Sequence, residues 1–276
     1  MILKNENLNL SAIAESGQCF RWKELEDGTV EITAFSRVLL ARQLAEDACD
    51  FDCCQRDFDD IWRGYLDLDT DYGAVIRRIP KKDTYLRNAA AFGNGIRILR
   101  QDPFETLITF TISQRKNIPA IRQAVEKLCR AAGRRIPGTE RFAFPEKEAL
   151  ASLSLEDLLA CSLGYRAKYL YGQAQRFAKG EVTTEGLAAC SDEKLKEELL
   201  SLPGVGIKVA NCTMLFGFHR VNSFPVDVWM NRIEDRHYPE GYPLTLWAPY
   251  AGIYQQYLFA FERAVDGAAG GKRAGA

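Results

Sequence analysis

Histidine is nearly absent from this chain: His219 and His237 are its only two in 276 residues. Eight cysteines are present, but they form no pair of metal-type dyads, and Cys49, Cys53 and Cys54 have no histidines spaced to complete a zinc site. No metal and no cofactor is therefore expected, and the thiols read as reduced, as in a cytosolic protein. Long hydrophobic runs are missing too. None approaches the ~20 residues that span a bilayer, and the N-terminus lacks the basic-then-apolar pattern of a secretory leader. A cytoplasmic protein without membrane contact is the expectation.

An excess of one charge is also lacking, since the formal net charge is −1. The balance hides a segregation. Residues 46–71 carry ten acids and two arginines, a local charge of −8, so the rest of the chain carries +7. Arg77, Arg78, Lys81, Lys82, Arg115 and Lys116 are candidates for phosphate contact within that basic remainder. Within the acidic stretch, Asp67-Leu68-Asp69-Thr70-Asp71 has the spacing of a calcium loop. Tyr72 stands where that loop needs glycine and Arg78 where it needs glutamate, so the segment reads as a linker.

What is present divides the chain. Asp27-Gly28 marks a hairpin into Thr29-Val30-Glu31-Ile32, and Arg37-Val38-Leu39-Leu40 reads as a further strand. From Pro103 onward the patterns are helical: Glu105 to Ile112, Ile118 to Ala132, Glu146 to Ser152, Arg166 to Ala178, and Asp192 to Gly217 with one interruption. At 47% hydrophobic the chain can bury a large core. The expected fold is α+β, with an antiparallel sheet domain over 1–80, a helical domain over 81–267 and a disordered tail over 268–276.

The interruption is Leu202-Pro203-Gly204-Val205-Gly206. Two glycines permit a tight turn, Val205 can pack inward, and the next helix starts near Ile207 with free N–H groups suited to a phosphate. That is a helix-hairpin-helix, a grip on the nucleic-acid backbone. Lys208 follows on a helix of mostly apolar neighbours, a setting that favours the neutral, nucleophilic amine. Asp227, after Ser223-Phe224-Pro225-Val226, stands where a helix begins. It can cap that helix, and it can also stabilise positive charge on a sugar as a glycosidic bond breaks.

The string Leu202 to Ala210, followed by Pro225-Val226-Asp227, resembles the helix-hairpin-helix-Gly-Pro-Asp superfamily of DNA glycosylases, in its 8-oxoguanine DNA glycosylase/AP lyase branch. The resemblance runs from Ser16 to about Phe259. It implies that Lys208 attacks the anomeric carbon, expels the base and forms a Schiff base before β-elimination, with Asp227 assisting. In Ser16-Gly17-Gln18-Cys19-Phe20-Arg21-Trp22 it implies that the Gly17 carbonyl accepts the hydrogen on nitrogen-7 of the oxidised base. Guanine has a lone pair there, and mispairing a buried polar group costs ~1–3 kcal/mol.

In the segment Leu246 to Phe259, the resemblance places Gln255 on the Watson–Crick edge of a flipped base, Phe259 on one face and Cys212 on the other. In Leu163-Gly164-Tyr165-Arg166, Tyr165 would wedge into the stack and Arg166 would contact the base left opposite. Gly204, Val205 and Gly206 would hold the backbone, and the partner implied is double-stranded DNA with an oxidised purine. The protein would act as a monomer, nucleoid-associated when bound. No cysteine follows Cys212, so the four-cysteine iron–sulfur loop of the endonuclease III and adenine-glycosylase branches is absent.

One segment departs from the family. Ser113-Gln114-Arg115-Lys116-Asn117 stands where eukaryotic members show an asparagine run, and Ala120 takes the place of a second cytosine-reading arginine. Gln114 or Arg115 would fill the hole left by the flipped nucleotide, Asn117 would lie on the DNA-binding surface, and a relaxed opposite-base preference is expected. Two other classes compete: an alkylpurine glycosylase using water, which needs no Lys208, and a non-catalytic hairpin module, which leaves Gly17, Asp227 and Gln255 unexplained.

Overall fold

The computed structural model describes residues 1–273, with side chains to Asp266. Its N-terminal part is one antiparallel sheet of five strands, β1 (Ile2–Lys4), β2 (Trp22–Glu24), β3 (Thr29–Ala34), β4 (Arg37–Ala45) and β5 (Ala48–Phe51), in the order β1-β5-β4-β3-β2. The β2–β3 hairpin turns at Gly28, whose φ of 77° suits glycine, and the Asp27 carboxylate accepts from Thr29 N at 3.0 Å. Alternation along β3 and β4 turns Val30, Ile32, Leu39 and Ala41 inward onto Leu10, Ile13, Phe58 and Trp62, which form the first core.

A second, larger core unites the helices from Tyr72 onward. Its central element is the helix Pro103–Ser113, capped by Asp102 and buried along Phe104, Leu107, Ile108, Phe110 and Ile112. Around it stand Ile118–Ala132, Arg166–Ala178 and Ile207–Cys212, with Asp192–Leu200 packed on the last of these and Val228–His237 on the helix Ala251–Arg273. The helix Ala251–Arg273 packs on Thr84–Phe92, an element that the sequence patterns did not single out. The tail expected from residue 268 begins within the span of that last helix, and 274–276 lie outside the described residues.

The two cores are joined by buried polar groups. Gln18 is fully buried, donates to Arg97 O at 2.8 Å and accepts from Leu99 N at 2.8 Å. Arg97 in turn donates to the carbonyls of Asn7, Leu66, Asp67 and Thr70. Asp67 is 1% exposed and pairs with Arg100 at 2.8 Å. The stretch read as a linker is thus a fixed joint, because cations some 30 residues downstream neutralise its first acid.

Arg21 ties β2 to the helices through Glu126 at 3.1 Å, with Glu105 at 4.0 Å. Burial pushes the Glu105 carboxyl up to about 7, with Arg21 opposing the rise and Asp102 and Glu126 adding to it. The folded state therefore holds this proton after the unfolded chain has lost it, and stability declines as pH climbs from the ordinary glutamate range through about 7. Denaturant titrations at pH 5 and pH 8 should find that decline flattened in Glu105→Gln. Because the side chain is 20% exposed, the gain at pH 8 should be discounted to on the order of 1–2 kcal/mol. An unchanged slope would remove Glu105 as its source.

Candidate active site and nucleic-acid interface

Residues separated by more than 200 positions meet in one cleft. Gly17, Lys208, Cys212, Asp227, Gln255 and Phe259 all line it, with Ser16, Phe110, Phe216, Pro225 and Gln256 completing its walls. Gly17 has a φ of 75°, which favours glycine, and the Phe259 ring lies where a Cβ at Gly17 would touch it at 3.4 Å. Arg263 stands over that ring at 5.4 Å and donates to Glu15 O at 3.0 Å. The cavity is about 50 Å³. A larger cleft of about 380 Å³ lies between Phe35, Glu105, Phe144 and Glu185, and none of the motif residues reaches it.

Lys208 is half-buried, with Nζ 5.0 Å from the centre of the Phe110 ring, close enough for a cation–π contact. Burial raises the Cys212 thiol pKa, with Lys208 pulling it back. Asp227 caps its helix as expected: Oδ1 accepts from Trp229 N at 2.9 Å and Met230 N at 3.1 Å. The cap fixes the carboxylate in the cleft. An amine and an anchored carboxylate beside a side-chain amide are groups that chemistry on a sugar can use.

The hairpin supports the same face. Gly204 has a φ of 74°, and an added Cβ would sit 2.3 Å from the Tyr169 ring, so both backbone and space demand glycine. Val205 is buried, and Gly206 begins the next helix with its own position open. Tyr165 is 50% exposed at the start of its helix, after a tight turn with positive φ at Ser162 and Gly164.

One placement differs from expectation, that of Arg166. Arg166 is buried, and its guanidinium donates to Gln114 O at 2.8 Å and Leu163 O at 3.2 Å. It is not turned out toward an opposite base. Gln114 donates its amide to Gly204 O at 3.0 Å and Thr111 O at 3.2 Å, whereas Arg115, with a φ of 52°, is exposed. Asn117 caps the Ile118 helix through Ala120 N at 3.0 Å. Of the basic candidates, Arg77 pairs with Asp71 at 3.5 Å and Lys116 donates to Ser162 O at 2.9 Å.

Known proteins are similar to this chain. Residues 1–107 match the family model described as 8-oxoguanine DNA glycosylase, N-terminal domain, and residues 108–241 match that of the HhH-GPD superfamily base excision DNA repair protein. The chain belongs to the 8-oxoguanine DNA glycosylase family.

An N-glycosylase/DNA lyase of Saccharomyces cerevisiae is 30% identical over 267 residues, covering 86% of this chain and 70% of the yeast protein. The N-glycosylase/DNA lyase OGG1 of Arabidopsis thaliana is 30% identical over 242 residues, covering 82% and 66%. Among solved structures, that of Clostridium acetobutylicum 8-oxoguanine glycosylase/lyase with double-stranded DNA containing cytosine opposite 8-oxoG superposes with a TM-score of 0.87. It is 33% identical, over 96% of this chain and 98% of that one. A structure of MBOgg1 in complex with a low affinity DNA ligand gives 0.90 at 36% identity, over 96% of each chain.

In this glycosylase the sequence patterns missed Phe110 and Phe216. Their rings stack at 5.4 Å and floor the cleft beneath Lys208. Both lie in apolar helical runs where a phenylalanine reads only as core, so no sequence signal marks them. Ser16 and Pro225 sit inside quoted motifs, and their neighbours' chemistry was the signal available. Among the described residues no helix is long and apolar enough to cross a membrane.

Proposed function

We propose that this protein excises 8-oxoguanine from duplex DNA as a bifunctional glycosylase/AP lyase, acting as a monomer. The observation that carries the proposal is the convergence of Gly17, Lys208, Asp227, Gln255 and Phe259 on one cleft. The Lys208 amine attacks C1′ of the flipped nucleotide. The C1′–N9 bond breaks, and its electron pair leaves with the base, which takes up the proton that the attacking nitrogen sheds. Ring opening gives the Schiff base, and loss of a proton from C2′ expels the 3′ phosphate. Asp227 stabilises the cationic sugar during bond cleavage. The Gly17 carbonyl accepts from N7–H of the lesion, and Gln255 reads the Watson–Crick edge. To admit a purine, the Phe259 ring must withdraw from Gly17 and stack on the base, with Cys212 on the far face.

Arg115 fills the gap in the duplex, since the Gln114 amide already has two carbonyl partners. With Arg166 turned inward and Ala120 in the second position, opposite-base preference is relaxed. The test is single-turnover release and nicking on 8-oxoguanine opposite each of the four bases, beside an alkylated-purine duplex and an undamaged one. Release with nicking is expected on all four, within about tenfold, or ~1.4 kcal/mol. Strict cytosine preference would contradict the relaxed readout. Release of the alkylated base alone, without nicking, would indicate a water-using alkylpurine glycosylase, and no release at all a binding module.

A further inference from the structure

The geometry points to Gln114 as a positioning residue that ties three DNA-facing turns into one clamp, its carbonyl holding Arg166 and its side chain holding the hairpin at Gly204. The inference rests on the excision activity proposed above. Gln114 ends the helix Pro103–Ser113, with φ −53° and ψ 123° turning the chain out toward Arg115. Its carbonyl accepts from Arg166 Nε at 2.8 Å and from a second guanidinium nitrogen, which pins the turn that carries Tyr165. Both atoms facing its side-chain amide, Thr111 O and Gly204 O, are acceptors, which assigns the nitrogen to that side.

Neighbouring bonds close the clamp. Lys116 donates to Ser162 O at 2.9 Å and Lys127 to Ser162 Oγ at 2.7 Å, holding the Tyr165 turn from its other side. Gln173 donates to Pro203 O at 2.7 Å, joining the Tyr165 helix to the hairpin a second time. The backbone grip, the wedge and the gap-filling turn are therefore fixed relative to one another before DNA arrives. Such preorganisation matters at one step. A base held out of the stack has lost its stacking and pairing, and a wedge that recedes lets it return.

Gln114→Ala removes the hairpin tie and keeps the carbonyl, while Gln114→Glu sets a carboxylate oxygen against Gly204 O. Single-turnover excision is compared on 8-oxoguanine opposite cytosine and opposite a tetrahydrofuran abasic analogue, where no pair has to be broken. Undamaged-duplex anisotropy and thermal melting accompany it. A fall of about tenfold is expected opposite cytosine, the loss of one hydrogen bond, and more for Gln114→Glu. Opposite the abasic analogue most of the loss should be recovered, with duplex affinity and melting near wild type.

If Gln114→Ala melts early, Lys116→Met, which cuts the surface tie to Ser162, should show the same selective loss on a smaller scale. An equal loss on both duplexes, or none in variants of an active wild type, overturns the positioning role. A wild type inert on both duplexes would instead remove the excision reading, and this inference with it.

Discussion

Lys208→Gln is expected to lower 8-oxoguanine excision by at least ~10⁴-fold while leaving affinity for undamaged duplex within a few-fold of wild type. Glutamine approximates the reach and volume of the lysine stem, and the Phe110 and Phe216 floor of the cleft stays filled. What disappears is the one amine that lines the cavity among the described residues, and with it the covalent route that divides a difficult displacement into two easier steps. Binding should survive because Lys208 Nζ stands over an aromatic ring inside the cleft, and the backbone grip belongs to the turn at Gly204. Stability should fall by no more than ~1 kcal/mol, the scale of a partly exposed cation–π contact. Retention of more than about one-hundredth of the wild-type single-turnover rate would mean that water, not the amine, attacks the sugar.

Asp227→Asn should lower the excision rate about 10²–10³-fold and change stability very little. The separation follows from the two roles of this side chain. Asparagine caps helices about as well as aspartate, so the bonds from Trp229 N and Met230 N persist. A neutral amide does not stabilise the positive charge that develops on the sugar, and that loss falls on the chemical step. Asp227→Ala removes both functions and should add a stability cost of ~1 kcal/mol in denaturant titration. If Asn and Ala lower the rate only in proportion to lost stability, Asp227 is a cap and nothing more.

The parts of the site visible in the sequence were those whose chemistry is carried by a short string. Gly204 and Gly206 announce a turn, Lys208 and Asp227 are charged groups in otherwise apolar surroundings, and Gly17 reads as a turn glycine ahead of a strand. What escaped the sequence was set by partners distant along the chain. Arg166 looked like a solvent-facing reader of bases because a guanidinium beside a wedge is free until its acceptors are known, and those are the carbonyls of Gln114 and Leu163.

Asp67 looked solvated within an acidic run, and Arg100 makes it a buried joint. Strand β4 extends to Ala45, past Leu40, because β5 pairs with it from Ala41 to Ala45, a partner that this polar stretch does not itself announce. The helix Thr84–Phe92 has a capping Asp83, a local sign masked by the basic Lys81-Lys82 before it.

Borohydride trapping on a duplex with one 8-oxoguanine opposite cytosine tests the central claim most directly. The wild-type protein should form a covalent adduct that depends on the lesion, is absent from the undamaged duplex and is absent with Lys208→Gln. Release of the base without any trapped adduct would contradict amine catalysis at Lys208.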